Sequence, residues 1–299
     1  MTGMHRSGFA CFVGRPNAGK STLTNELVGS KVAITSDKPQ TTRHAIRGIV
    51  HRPDAQLIIV DTPGLHRPRT LLGKRLNEVV LETWSEVDVI GFCVAADAKL
   101  GPGDRFIAEQ LRGVAKRTPV LGVVTKTDLV DKPVVAEQLL RMQELMEFAE
   151  LVPVSAVDGF QTGVLADLLV GQLPEGPQLY PDGELTDEPE QTLIAELVRE
   201  AALDGVRDEL PHSIAVTVEE MLPREGREDM LDIYASVHVE RQSQKAIVLG
   251  KGGSRMREVG QKARRQIETL LGSKVYLDLH VRVSKEWQRD PKQLRKLGF

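Results

Sequence analysis

The chain has 299 residues, 41% apolar and 27% charged, with a net charge of −3, a composition ordinary for a soluble globular protein and a length that predicts two domains. No stretch approaches the roughly 20 consecutive apolar residues of a membrane span, and the N-terminal MTGMHRSGFACFVG lacks a cleavable signal layout, so a cytoplasmic protein is expected. The charge is uneven: residues 1–240 carry a net −13 and residues 241–299 a net +10, which fits a polyanion partner or, equally, a solvated basic face.

From the N-terminus, short apolar runs (GFACFVG, AIRGIV, LIIVDTPG, DVIGFCVAA, TPVLGVVTKTD, LVPVSA) alternate with polar stretches of helical period such as EQLLRMQELMEFAE. Runs this uniformly apolar predict an α/β domain: a mostly parallel sheet buried on both faces by helices. AIRGIV and QLIIV are joined by HRPDA, too short for a parallel crossover, which predicts an antiparallel edge pair. Cys11 and Cys93 both sit in such runs and read as buried thiols, with no support for a disulfide or a metal site.

The first run opens into G-x-x-x-x-G-K-S at Gly14–Ser21, followed by a helical pattern. In that context backbone N–H groups and a helix N-terminus face phosphates, Lys20 reaches the β/γ oxygens, and the Ser21 hydroxyl meets Mg²⁺. The candidate cradle is Gly14, Arg15, Pro16, Asn17, Ala18, Gly19, Lys20, Ser21 and Thr22. At Asp61, Thr62, Pro63, Gly64 and Leu65, an aspartate ending a strand can hold the Mg²⁺ shell, and Gly64 lets a backbone N–H approach the γ-phosphate. Further on, Asp128 of TKTD can accept two parallel hydrogen bonds from guanine, a donor pair that adenine lacks. Lys126 would lie along the base, and the amide of Ala156, after Ser155, would face the guanine carbonyl. The boxes therefore favour GTP over ATP.

LPEGPQLYPDGELTDEPEQ, residues 173–191, has four prolines, six acidic residues and no basic one, and reads as an extended linker. The pattern then changes. TLIAELVREAALDGVRDEL predicts a helix stopped by Pro211, SIAVTVEEML and MLDIYASVHVER two strands, SQKAIVLG a short helix, SRMREVGQKARRQIETLLG a longer one ending at Gly272, and KVYLDLHVRVS a strand. The expected order is α-β-β-α-α-β.

The boxes, in their order, resemble those of the translation-factor-related small GTPases, and ITSDKPQTTRHAIRGIV with DTPGLHRP resembles the Era GTPases in particular. The likeness implies that Thr42, with Thr41 the alternative, closes over Mg²⁺ when GTP is bound, completing a metal set of Ser21, Thr42 and Asp61. It implies catalytic roles for Asn17, Lys20, Thr42 and Gly64. Asn17 matches the asparagine that supports K⁺ in several relatives; its alternative is to stabilise the turn. Thr125 replaces the usual asparagine of the guanine box, which predicts weaker GTP affinity. Leu65 stands where Ras-type enzymes carry a water-orienting glutamine, which predicts slow intrinsic hydrolysis open to stimulation.

Gly250–Gly253 reads GKGG, lacks the G-K-[S/T] ending, and lies between two helices. Within α-β-β-α-α-β, G-x-x-G resembles a type II KH domain, whose loop clamps the backbone of single-stranded nucleic acid. Gly250, Lys251, Gly252, Gly253, Arg255, Arg257, Lys262, Arg264 and Arg265 are the candidate RNA contacts. Ile247, Val248, Val259 and Val275 are candidates for an apolar groove or for ordinary core, and Trp287 for stacking or for anchoring the tail. The closing VRVSKEWQRDPKQLRKLGF also resembles the Era C-terminus, so the likeness spans the chain.

The reading is a P-loop GTPase domain over 1–172, an acidic linker over 173–191 and a type II KH domain over 192–299. The resemblance implies a monomer that binds GTP/GDP, Mg²⁺ and K⁺, the 3′ end of 16S rRNA and the 30S ribosomal subunit. It also implies an association with the inner membrane surface, which the acidic first domain does not independently support. A GTPase acting on tRNA or another ribosomal particle, and a module using GTP only structurally, are the alternatives.

Overall fold

A computed structural model describes residues 5–38, 41–65, 68, 70–114, 116–206 and 210–299. The chain divides into two compact units, Met1–Pro68 with Gly73–Asp187, and Arg69–Leu72 with Glu188–Phe299.

The first unit runs β1 (Arg6–Val13), α1 (Lys20–Val28), β2 (Ile46–Arg52), β3 (Ala55–Asp61), α2 (Leu71–Glu86), β4 (Val89–Ala95), α3 (Pro102–Val114), β5 (Val120–Thr125), α4 (Lys132–Gln143), β6 (Glu150–Pro153) and α5 (Thr162–Gly171). Its six strands lie in the order β2-β3-β1-β4-β5-β6, all pairs parallel except β2 with β3. The antiparallel edge is the one that the short HRPDA connection predicted. Every residue of β3, β4 and β5 is buried, as uniformly apolar runs between two helical layers must be. Cys11 packs with Trp84, Ile107 and Leu111, whereas Cys93 packs with Leu23, Leu165 and Leu169 in a separate cluster. Both thiols are free, and burial pushes the Cys93 pKa up to about 12.

The segment read as a linker passes the starts of β1 and β3 and meets the open edge of this sheet, β2, only at residues 184–187. Ile49 N–H of β2 donates to Leu185 O at 2.9 Å, and Gln56 Oε1 accepts from Leu179 N–H at 2.7 Å and Tyr180 N–H at 2.9 Å. Ser7 N–H donates to Pro174 O at 3.2 Å, and Arg47 pairs with Asp187 at 2.9 Å. Residues 184–187 in this way occupy part of the open edge without adding a strand to the sheet.

The second unit contains α6 (Glu190–Leu203), α7 (Leu210–Ser213), β7 (Ala215–Arg224), β8 (Arg227–Val239), α8 (Gln242–Leu249), α9 (Ser254–Leu271), β9 (Lys274–Val283) and α10 (Pro291–Lys296). The sheet order is β7-β8-β9, antiparallel then parallel. The α-β-β-α-α-β order holds, with α7 and α10 added. The helix expected to run to Pro211 ends at Leu203, before Gly205 with φ +68°, and Arg207–Glu209 of that expectation lie outside the described residues. Met256, Val259, Ala263 and Ile267 form the buried stripe of α9. Trp287 is fully buried, donates from Nε1 to Ser213 O at 3.0 Å and stacks on Phe299 at 5.6 Å, so it anchors the tail.

Candidate nucleotide and nucleic-acid sites

The carboxyl ends of β1, β3, β4 and β5 point to one edge of the sheet, the place where open parallel sheets bind ligands. There the loop from Gly14 to Gly19 turns β1 into α1. A Cβ on Gly14 would come within 2.4 Å of Cys93 O, so only glycine lets the loop lie against β4. A cleft of about 420 Å³ opens above the loop, lined by Pro16, Asn17, Gly19, Lys20, Ser21, Thr22, Gly64 and Lys126. Its far wall is Ile34–Lys38 with Thr41 and Thr42. Sequence reading quoted that wall inside a longer stretch but did not single out its first five residues, which carry no phosphate-binding pattern of their own.

At the base of the cleft the metal candidates meet. Ser21 Oγ donates to Asp61 Oδ2 at 2.7 Å, Thr42 Oγ1 donates to the same oxygen at 3.1 Å, and the two hydroxyls are 3.0 Å apart. Thr41 instead donates to Lys38 O at 2.6 Å, so of the two candidates Thr42 joins the cluster. Asp61 Oδ1 is buried with no hydrogen-bond partner among the described residues. Two hydroxyls and a carboxylate with a spare buried oxygen form a hard-oxygen donor set that fits Mg²⁺. Burial raises the Asp61 pKa against the lowering effects of Ser21, the Lys20 charge and Thr42. Burial lowers the Lys20 pKa, opposed by the Asp61 charge, and its Nζ donates to Gly14 O at 3.3 Å and Arg15 O at 3.2 Å.

Not every cradle residue faces the cleft. The Arg15 guanidinium is drawn away to Asp104, 2.9 Å from Nε, and to Lys99 O, 3.1 Å from Nη2. The Thr62 hydroxyl donates back to Phe12 O at 3.3 Å, and Leu65 is buried in the core below α2 and α3, unable to orient water. Asn17 holds φ +64°, and its amide donates to Asp37 O at 2.7 Å, tying the loop to the opposite wall.

At the guanine end, Ser155 Oγ donates to Asp128 Oδ1 at 2.7 Å and fixes the carboxylate. Thr125 ends β5, and its hydroxyl donates to Ala18 O at 2.7 Å. It therefore keeps one brace to the phosphate loop where an amide offers two donors. Thr125→Asn should tighten GTP binding by a few-fold up to about tenfold, the worth of one added hydrogen bond. A titration with fluorescent GTP checks this, and an unchanged dissociation constant would remove the role given to Thr125.

In the second unit, Gly250–Gly253 joins α8 to α9. Gly250 adopts φ 71°, ψ 175°, and a Cβ there would meet Arg255 Cβ at 2.8 Å, so this glycine is obligatory. Beside the loop lies a groove of about 530 Å³, lined by Gly252, Gly253, Arg257 and Arg264 with Leu249, Met256, Gly260 and Gln261. Tyr276, Leu277 and Leu279 of β9 form the opposite wall. Arg257 also donates to Gly252 O at 3.1 Å, while Lys251 and Arg265 are exposed beside it.

The structure separates the expected basic contacts. Arg255 and Lys262 lie two residues before Arg257 and Arg264, about 200° round the helix. They turn to the end of α6, Arg255 to Asp204 O and Lys262 to the Asp204 carboxylate at 2.6 Å. The groove candidates divide too: Val248, Val259 and Val275 are core, at most 4% exposed, and Ile247 is 54% exposed away from the lining. Alternation marked the apolar face of β9 but not which of its residues stay accessible.

Residues 9–126 match the family model described as 50S ribosome-binding GTPase, and residues 209–288 the model described as KH domain. The chain is 67% identical to the GTPase Era of Streptomyces coelicolor, over 99% of this chain and 96% of that one. It is 68% identical to that of Mycolicibacterium smegmatis, over 98% and 99%. Among solved structures it superposes on a point variant of Aquifex aeolicus Era bound to GDP·AlF₄⁻ with a TM-score of 0.91, at 37% identity over 98% of this chain and 99% of that one. The same figures hold for Era in complex with MgGDPNP and nucleotides 1506–1542 of 16S ribosomal RNA. With a guanine-nucleotide cleft, an oxygen cluster fit for Mg²⁺ and a G-x-x-G groove in one chain, this protein belongs to the Era family of GTPases.

Proposed function

We propose that this GTPase acts in assembly of the small (30S) ribosomal subunit, its KH unit holding the single-stranded 3′ end of 16S rRNA while its nucleotide state sets when it lets go. The observation that carries this is the groove beside Gly252 and Gly253, where Arg257 and Arg264 stand across from Leu277 and Leu279, the pairing of cations and apolar surface that a single strand's phosphates and bases need. The RNA-bound Era structure, similar along its whole length, supports the same assignment.

In the cleft, Lys20 and the loop amides orient the phosphates, Gly64 gives a backbone N–H room to approach, and Asp128 selects guanine. Mg²⁺, held by Ser21, Thr42 and Asp61, would supply positive charge to the β- and γ-oxygens. Because Leu65 leaves the attacking water unoriented, turnover is slow without a stimulator.

The stretches around Thr42 and from Asp61 to Leu72 respond to the γ-phosphate. Pro39, Gln40, His66, Arg67 and Arg69 of these stretches lie outside the described residues. β2 begins four residues after Thr42 and has residues 184–187 on its outer edge, which supports a mechanical route from nucleotide state to linker.

In a phosphate-release assay, RNA of the 16S 3′ segment should raise turnover, and K⁺ should exceed Na⁺ if Asn17 supports a monovalent cation beside the phosphates. RNA that binds without altering turnover counts against the coupling. Equal rates in K⁺ and Na⁺ remove the K⁺ role and leave Asn17 as the tie to Asp37. A cytoplasmic monomer fits this reading; among the described residues no helix is long and apolar enough to cross a membrane. Attachment to the inner membrane surface rests on the resemblance alone.

A further inference from the structure

Arg15, the cradle residue whose side chain leaves the nucleotide cleft, enters a socket at the start of α3. Gly101–Asp104 reads GPGD: Pro102 opens the helix, and the Asp104 carboxylate reaches back, its Oδ2 accepting from Gly101 N–H at 2.8 Å. Its other oxygen, Oδ1, stands 2.9 Å from Arg15 Nε, and Lys99 O accepts from Arg15 Nη2 at 3.1 Å. Asp104 is 1% exposed, so its charge needs a partner, and Arg15 supplies it. Gly103 makes the room: a Cβ there would come within 2.9 Å of Arg15 Cδ and 3.3 Å of Cγ. Capping alone accounts for Pro102 and for one oxygen of Asp104. It accounts for neither a glycine in the first turn, where helix propensity disfavours it, nor a buried carboxylate turned to the phosphate loop.

The main chain held in this way lies between two groups of the site. Arg15 O accepts from Ala18 N–H and from Lys20 Nζ, each at 3.2 Å. Pro16, the next residue, packs against Gly64, where a Cβ would meet Pro16 N at 3.2 Å and its Cδ and Cγ at 3.3 Å. Arg15 therefore adjoins both the lysine that reaches the β/γ oxygens and the glycine whose N–H approaches the γ-phosphate.

We propose that Arg15 is a positioning residue for GTP hydrolysis: locked by the Gly101–Asp104 socket, it fixes the first half of the phosphate loop and, through it, sets Lys20 and Gly64 against the γ-phosphate. This rests on the roles given above to Lys20 and Gly64 and adds the element that holds them. Loosening the tether lowers kcat, whereas GDP, which has no γ-phosphate, binds nearly as before.

The test measures phosphate release and fluorescent-GDP binding on the full chain. Asp104→Asn keeps the shape and an acceptor for Gly101 N–H but loses the charge. Gly103→Ala keeps both ion-pair partners, suits a helix better than glycine, and puts its methyl where the Arg15 side chain lies. Each should lower kcat about 10- to 100-fold, the cost of misplacing a reacting group by about 1 Å, with GDP affinity within about threefold of wild type. Retained GDP binding also shows that the unit is folded, and if Asp104→Asn does not fold, Gly103→Ala carries the test. Arg15→Ala combined with Asp104→Asn should lose no more than the worse single variant, since both cut the same link. A brace that serves only the fold predicts a shifted melting temperature with kcat unchanged. That result, losses that add in the double variant, or equal losses of kcat and GDP affinity would each overturn the proposal. Lys20→Ala is the reference for the loop: if it hydrolyses GTP at the wild-type rate, the assignment of the loop falls, and the role of Arg15 with it.

Discussion

Asp61→Asn is expected to cut GTP turnover by about 10²- to 10³-fold, the usual cost of losing one preorganised charge contact at a reacting phosphate. Asp61 Oδ2 already accepts from both Ser21 and Thr42, so an amide oxygen can keep that geometry. What the amide cannot keep is the negative charge, and its NH₂ would take the place of the buried, unpartnered Oδ1. Burial makes this carboxylate costly in the nucleotide-free protein, and a dication offsets that cost. The change should therefore appear as a lost Mg²⁺ dependence of turnover and of nucleotide affinity. RNA binding by the second unit serves as the folding control. Turnover within about threefold of wild type would rule out Asp61 as a ligand of the catalytic metal.

Gly252→Asp should abolish RNA binding, at least about 100-fold, and leave GTP binding intact. The position is suited to this test. Gly252 sits at φ 58°, ψ 27°, a left-handed conformation that aspartate tolerates better than most residues, and a Cβ there meets nothing within 4 Å. The fold thus accepts the side chain, and what changes is the charge facing the RNA backbone. Footprinting of the 16S 3′ segment, with and without a non-hydrolysable GTP analogue, reads the outcome directly. Protection equal to wild type would mean that the loop does not face the RNA. The same substitution at Gly250 would be uninformative, because steric conflict with Arg255 would disturb the loop itself.

Much of the nucleotide site was legible because its chemistry is local. A phosphate cradle needs small residues and a lysine at fixed spacing before a helix, and a strand must end in the carboxylate, so Gly14–Ser21 and Asp61 announce themselves. The choice between Thr41 and Thr42 was not legible. Adjacent threonines are equivalent in composition, and only the path of the chain over α1 decides which hydroxyl reaches Asp61. Arg15 shows the same limit: it sits inside the cradle motif, yet its side chain serves Asp104.

Residues 173–191 show where composition misleads. Four prolines and six acidic residues correctly exclude a helix through that stretch up to Pro189, but not burial: its first residue, Leu173, packs into the core with Leu165 and Leu169. They say nothing about the edge strand β2, whose outward Ile49 N–H supplies a partner for a proline-rich backbone. Edge hydrogen bonding is a property of the sheet, invisible in the segment that satisfies it.

The sequence by itself determined the two glycine loops, their different ligand chemistries, the parallel sheet with its antiparallel edge, and the α-β-β-α-α-β order. Each rests on spacing along the chain, which sterics and hydrophobic periodicity translate into local structure. Only the tertiary structure decided which basic residues of α9 face the groove and that Leu277 and Leu279 rather than Val275 line it. A helical or strand period says which residues share a face. It does not say whether that face meets core, solvent or ligand, because the answer depends on neighbours far away in sequence, as Asp204 is for Arg255 and Lys262.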